Sequence, residues 1–416
     1  MRKLILKSGL IALILASPLL AAADETPGAF KIPGTDTTIS FNGFAETVLF
    51  YEFTGGQPYL NSVPCDIYLS PNCITLNHPV NGASPDLHDP QAGMGVGYAR
   101  FGVQTSTPSD LGKIGTRFEM DAASGNPADY NHTGLSDTHS NYIRIRHAYG
   151  TIGDWFLMGQ TWSNFADLNT FPDQMDENPT GNLAALRSPM IRFTIPAGAA
   201  AISLALEDPY YASLSNAFWN VPDLTAKVVF NAGPAALSVR GMVKQYRNEG
   251  SSAAGFGFGI GAAIKLGGDL LLVDAEGGPG IGTYMYGSTF TAGGPTNPAQ
   301  DVVQDATNNN IKVWAAYGAS VDYTHNWSNK FRSNLIVSGQ WFPGSSDLKT
   351  AYTDNGALAT YGFANQSVYT IGINTYWSPF RTFWLGPEFY YNQRNTFAAG
   401  YGNEFRGEFV SHFNFF

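Results

Sequence analysis

The chain has 416 residues, 44% hydrophobic and 14% aromatic but only 13% charged, against about 25% charged in an ordinary soluble protein. It carries 46 glycines and a formal net charge of −10; the apolar fraction excludes a disordered chain, and glycine without a three-residue period excludes a collagen-like one. Past residue 23 no apolar run approaches the ~18–20 residues of a spanning helix, so a helical membrane protein is excluded and a transmembrane β-barrel fits best.

Arg2, Lys3 and Lys7 precede a mostly apolar stretch, Leu10 to Leu20, and Ala21-Ala22-Ala23 offers a small-residue cleavage site. This pattern predicts a signal peptide over residues 1–23, removed on export. Residues 24–38 then form a short periplasmic segment. Export places Cys65 and Cys73 in an oxidising compartment, where the Pro- and Asn-rich loop between them suits a local disulfide. A zinc site would need more soft ligands than these two, and no metal site is expected.

From residue 39 to 416 one unit recurs: about ten residues of alternating polarity, a short turn, ten more, then a longer polar loop. In the first, Ile39, Phe41, Ala45, Leu49 and Tyr51 share one parity and Ser40, Asn42, Glu46 and Glu52 the other. An apolar outer face and a polar inner face are what a membrane barrel requires. The pattern returns over 97–106, 113–122, 141–152, 155–162, 188–196, 200–207, 223–231 and 236–246. It continues over 255–265, 269–276, 311–323, 330–341, 366–377, 382–391 and 403–416. The prediction is therefore an all-β antiparallel barrel of about sixteen strands, short turns in the periplasm and long loops outside. Leu270 to Val273 breaks the alternation of its strand. At the C-terminus Phe405, Phe409, Phe413 and Phe415 share a parity, and Phe416 falls on the other, which calls for a bulge or an end to the ladder before the last residue.

The long loops are acid-rich and hold few bases, Arg247, Lys349 and Arg394 among them. Strand bases lie on the polar parity: Arg100, Lys113, Arg117, Arg144, Arg146, Arg192, Lys227, Arg240, Lys244, Lys265, Lys312, Arg332 and Arg406. A lipid-facing charge at mid-bilayer costs about 2–4 kcal/mol, so these side chains must face a wet lumen. Inward acids are Glu46, Glu52, Glu119, Asp121, Asp322, Glu388, Glu404 and Glu408. Arg144 and Arg146 lie two apart on one strand, about 6.6 Å from each other. They are either braced by Glu119 and Asp121 or part of a pore-lining arginine ladder that attracts carboxylates and other anions. The loop 163–187 carries Asp167, Asp173, Asp176 and Glu177 among Phe165, Phe171 and Met175. Folded into the lumen, it would constrict a barrel this wide and set acids opposite the arginines. Gly255, Gly257, Gly259 and Gly261 alternate within a strand and read as small lumen-facing positions.

The segments NYIRIRHAYGTIGDWFLMGQTWSNFAD (141–167), LRSPMIRFTIP (186–196) and FKIPGTDTTISFNGF (30–44) resemble the DcaP-like outer-membrane porins. The resemblance implies a homotrimeric sixteen-stranded porin in the outer membrane of a Gram-negative bacterium, surrounded by lipid and lipopolysaccharide. It implies small anions as solutes, with dicarboxylic acids as the substrate class. It places Arg144 and Arg146 on the family's basic strand and Arg187 with Arg192 on the strand after the inward loop. The helical segment that many members carry before the barrel has no counterpart here, where only Asp24 to Ala29 intervenes.

No nucleotide loop, hydrolase elbow, zinc-protease motif or calcium loop appears, so neither an enzyme nor a cofactor is expected. A sequence pI near 5.1 and acidic loops disfavour nucleic acid. Two functions stand. One is a diffusion porin whose pore-lining residues are Arg100, Arg117, Arg144, Arg146, Arg187, Arg192, Arg240, Lys244 and Arg332. The other is an adhesin or receptor that uses the barrel as an anchor for its long loops.

Overall fold

A computed structural model of the chain describes residues 28–54, 78–79, 90–96, 99–123, 142–175, 186–209, 221–285 and 301–416. The expected signal peptide, Cys65, Cys73, Asp176 and Glu177 lie outside these residues.

Sixteen antiparallel strands close into one barrel. In chain order they are β1 (Thr38–Thr54), β2 (Arg100–Thr107), β3 (Ile114–Ala123), β4 (Tyr142–Ile152), β5 (Phe156–Trp162), β6 (Arg187–Ala197), β7 (Ala200–Glu207) and β8 (Asp223–Ala232). The second half comprises β9 (Ala235–Asn248), β10 (Ser251–Leu266), β11 (Asp269–Pro279), β12 (Ala315–Asn326), β13 (Phe331–Trp341), β14 (Asn365–Phe380), β15 (Phe383–Thr396) and β16 (Gly400–Asn414). Each strand pairs with its successor, and β16 returns to β1, from Phe44↔Asn414 to Thr54↔Phe405. The short strand Gln91–Gly95 pairs with the upper part of β1 and Arg100–Thr107 with its lower part.

The alternation that predicts these strands also decides which way they face. Leu49, Tyr51, Phe193, Ile195, Leu204, Phe258, Ile371 and Phe409 are exposed on the outer surface, while Glu46, Glu119, Asp274, Glu388 and Arg406 are buried inside. Such an inverted distribution is stable only against lipid. Exposed Trp155, Trp327, Trp377 and Phe380 mark the short-turn end, and Tyr317, Trp341, Tyr369 and Tyr401 the long-loop end. The tight hairpins after β6, β8 and β10 turn on Gly198, Gly233 and Gly267, all at positive φ, as two-residue hairpin connections demand. Leu270 and Leu272 point inward and are buried near the short-turn end, so the strand alternates in space although its sequence does not. The ladder ends at Asn414, leaving Phe416 beyond it.

One predicted strand is corrected. Of 311–323, only the part from Ala315 enters the barrel. Ile311–Val313 instead pairs with Val302–Gln304 in a separate two-stranded sheet, and Lys312 lies near Asp347 of a loop helix, 3.7 Å away. The cause is Trp314, which leaves the alternation to enter an apolar cap of Phe165, Tyr284, Phe342, Leu348, Tyr352 and Tyr361. Its indole stacks on the Tyr361 ring at 5.8 Å. The long loop 342–365 folds into α1 (Ser346–Asp354) and α2 (Leu358–Phe363). Ser345 caps α1 by accepting from the Leu348 amide, and Asn355 at its end accepts from Ala306 N at 2.7 Å and donates to Gln304 O at 2.6 Å. Trp314→Ala should cost the cap about 3–5 kcal/mol. Limited proteolysis should then cleave 302–314 and 346–363 quickly, while the barrel keeps its heat-dependent gel mobility.

Candidate functional site

The lumen has two unlike walls, and the segment 163–175 makes them so. It leaves the end of β5 and runs along the inner surface from β7 to β15. Its anchors follow in order. Ser163 Oγ and Asn164 N donate to Glu207 Oε1 at 3.1 and 2.9 Å. Ser203 Oγ donates to Asn164 Oδ1 at 2.6 Å, and Lys227 Nζ donates to Ala166 O at 2.9 Å. Ser238 donates to Asp167, and Thr170 Oγ1 donates to Asp274 Oδ2 at 2.6 Å. Asp173 N donates to Asp322 Oδ2 at 2.8 Å and Met175 N to Glu388 Oε2 at 2.9 Å.

The glycine face of β10 makes room for this path. A Cβ on Gly261 would stand 2.5 Å from Asp167 Oδ2 and 3.0 Å from Thr170 Cγ2; one on Gly257 would stand 3.3 Å from Phe165 Cζ. Phe165 itself is fully buried in the cap cluster, and Met175 packs with Val48, Tyr376, Trp384 and Val410 at the other end.

The wall beneath this segment is therefore sealed. Arg240 Nη2 donates to Asp274 at 2.8 and 2.9 Å and lies 3.7 Å from Glu276. Lys244 Nζ donates to Thr283 Oγ1 at 2.9 Å and stands 3.8 Å from Asp223 and 4.0 Å from Asp301. Burial pushes the Asp301 carboxyl above the ordinary carboxylate value, against the opposing pull of Lys244 and the Thr283 hydrogen bonds. The side chains of Arg240 and Lys244 have no exposed surface, so the expectation that they line the pore does not hold: the segment and the cap cover both. Arg332 pairs with Asp173 at 2.5 and 3.0 Å and lies over the Tyr376 ring at 3.7 Å.

One further expectation is corrected. The described acids of the loop do not oppose the arginines of the far wall, because Asp167 turns to Ser238 and Asp173 to Arg332. Arg187, at the loop end of β6, is half-buried and reaches a Trp162 ring that Arg146 and His147 also approach, at 5.7 and 6.2 Å. It stacks on Trp162, its directly paired neighbour, 3.8 Å from the ring centroid.

The wall from β2 to β6 is open. Arg144 forms a bidentate pair with Asp121 at 3.0 and 2.7 Å. Arg146 bridges Glu119 and Asp121 at 3.0 and 2.6 Å. Arg117 meets Glu119 at 2.6 Å and Arg100 approaches it at 3.7 Å. A register shift between Glu119 and Met120 inserts a bulge at Arg146, and this puts Arg146 and His147 on the inner face together, with Thr161 3.0 Å from His147 Nδ1. The shared carboxylates answer which arginines are braced. They are buried, with Glu119 and Asp121 side chains 2% and 0% exposed, whereas Arg117 and Arg144 keep 30% and 34%. Arg192 is half-buried and makes no hydrogen bond or ion pair within 4 Å among the described residues.

A barrel with an inner segment and a basic wall suits many porins, and comparison decides among them. The family model for the DcaP outer membrane protein matches residues 92–415. The chain belongs to the DcaP family. It is a channel of the Gram-negative outer membrane. Among solved structures the DcaP-family chain is similar to the outer membrane channel DcaP of Acinetobacter baumannii, with 21% identity and a TM-score of 0.71 over 93% of this chain and 100% of that one. It is also similar to OmpT of Vibrio cholerae, with 11% identity and a TM-score of 0.55 over 93% and 100% of the two chains. The anion-selective porin from Comamonas acidovorans matches with 11% identity and a TM-score of 0.53 over 91% and 100%. Comparison with curated proteins finds no match.

Sequence reasoning missed the anchors of the inner segment. Glu207 and Asn164 have no shared local signal, since 43 positions separate them. His147 carries no local signal of its own, because only the bulge turns it inward.

Proposed function

We infer that this DcaP-family channel passes small anions, carboxylates among them, by diffusion along the β2–β6 wall. One observation carries the reading. The lumen charge with accessible surface on that wall is arginine, at Arg117 and Arg144 with Arg192 beside them, while the partnering carboxylates are buried. Guanidinium groups stay charged at any physiological pH and match carboxylate geometry. The net charge of −10 works against this only through loops, whose fields are screened within ~8 Å at physiological salt.

On this reading the segment 163–175 is the constriction. It narrows the lumen and removes the acids of β7 to β15 from the path. Dicarboxylic acids are the solute class that family membership and the basic wall favour. We also propose a homotrimer, a cleaved leader over 1–23 and a Cys65–Cys73 disulfide. The test is the zero-current potential of the purified protein in a planar bilayer under a KCl gradient. Chloride preference is expected; potassium preference would overturn the anion reading, and absence of conductance would favour a loop-bearing anchor.

A further inference from the structure

Tyr149 stands on the inner face of β4 at the centre of the open wall. It is the direct cross-strand partner of Arg117 on β3, and the Arg117 guanidinium lies against its hydroxyl. On its other side the wall continues through β5 to Arg192 on β6. Tyr149 pairs with Gly159 and Gly159 with Met190, one inward position from Arg192.

The ring has little freedom. Gly159 sits beneath it at φ +128, and a Cβ there would approach Tyr149 Cβ to 2.9 Å. The ring packs against the buried cluster of Leu157, Met190 and Ala205, and His147 meets it edge-on at 6.1 Å between centroids. A fixed phenol directly across from Arg117 and one inward step in register from Arg192 differs from them in kind. Guanidinium groups attract any anion through charge, whereas an O–H donor rewards an anion with directional lone pairs. Arginine offers no acceptor, so the phenolic oxygen can accept from Arg117 while its own hydrogen stays available to a solute.

We propose that Tyr149 is the specificity-determining residue of the lumen, donating its hydroxyl hydrogen to a carboxylate held between Arg117 and Arg192. It separates carboxylates from chloride, which gains from the arginines alone. The proposal rests on the anion reading above and deepens it.

The experiment compares wild-type channel, Tyr149→Phe and Arg192→Ala in planar bilayers, using KCl gradients for ion preference and added succinate as the probe for block of chloride current. Phenylalanine keeps the ring and its packing. A hydrogen bond to a charged group is commonly worth tenfold or more in affinity. Tyr149→Phe should therefore raise the succinate concentration for half-block about tenfold, and leave the KCl zero-current potential where the wild type has it. An unchanged half-block overturns the proposal, as does a wild-type channel that succinate does not block. A shift in KCl potential as large as that of Arg192→Ala also overturns it, because the tyrosine would then be acting on the wall's charge. Failure of the anion reading is distinguishable: it appears as wild-type potassium preference, before any variant is made.

Discussion

Placing valine at both Gly257 and Gly261 should raise unitary conductance and lower anion preference together. Both glycines face the lumen from β10, and the inner segment lies directly on them. A Cβ at Gly261 would sit 2.5 Å from Asp167 Oδ2 and 2.8 Å from Ser238 Oγ; at Gly257 it would sit 2.6 Å from Ile281 Cγ2. Overpacking of this kind costs about 1–3 kcal/mol per site. The barrel holds its strands through ladder hydrogen bonds that valine respects, and valine suits a strand better than glycine does. The segment is tied down by a few side-chain hydrogen bonds, so the segment should give way. Its departure would widen the lumen and expose Asp274 and Glu276 to permeating ions, which accounts for the paired change. Gly241→Ala is the control, because a Cβ there meets nothing nearer than Gly257 O at 3.9 Å. Unchanged single-channel conductance in the double variant would show that 163–175 is not the constriction.

Arg192→Ala and Glu119→Gln should move ion preference in opposite directions. A unit charge about 5 Å from a permeating ion in a water-filled lumen is worth ~0.8 kcal/mol, or about fourfold in relative permeability. Removing Arg192 takes away a cation with no carboxylate within 4 Å among the described residues, and chloride-over-potassium permeability should fall by about that factor. Glu119 balances Arg117 at 2.6 Å, Arg146 at 3.0 Å and Arg100 at 3.7 Å. Its amide variant keeps the shape and removes the charge, so anion preference should rise by a similar factor. Breaking a buried pair costs about 3–5 kcal/mol, and the gel transition of Glu119→Gln should accordingly fall to lower temperature. Reversal potentials that shift the same way in both variants would mean that the wall's charge does not control passage.

How much of this was legible beforehand follows from the range of each signal. Strand alternation is local: Leu49, Tyr51, Glu46 and Glu52 declare their faces within a few residues, and lipid on one side with water on the other makes the rule nearly binary. Sixteen strands, their order and the inward position of Arg117, Arg144 and Asp121 could all be read from that pattern. The alternating glycines of β10 were recognisable as small lumen positions, though what fills the space above them was not. Parity is a weaker guide at strand ends, as Arg187 shows: it differs from Arg192 by an odd number of residues on one strand, yet it stacks on Trp162, whose ring also meets Arg146 and His147.

The sequence alone determined that the chain forms a barrel and that its charged strand residues point inward, because a period of two and the cost of charge in lipid act residue by residue. Tertiary structure decided which of those charges a solute meets. Arg240, Lys244 and Asp274 satisfy the same pattern as Arg117 and Arg144, yet they vanish beneath a segment whose anchors, from Glu207 to Glu388, lie up to 213 positions from it in the chain. The bulge that turns both Arg146 and His147 inward is likewise a property of the β3–β4 pairing. Coverage and register are relations between distant residues, and distant relations become visible only when the ring of strands is closed.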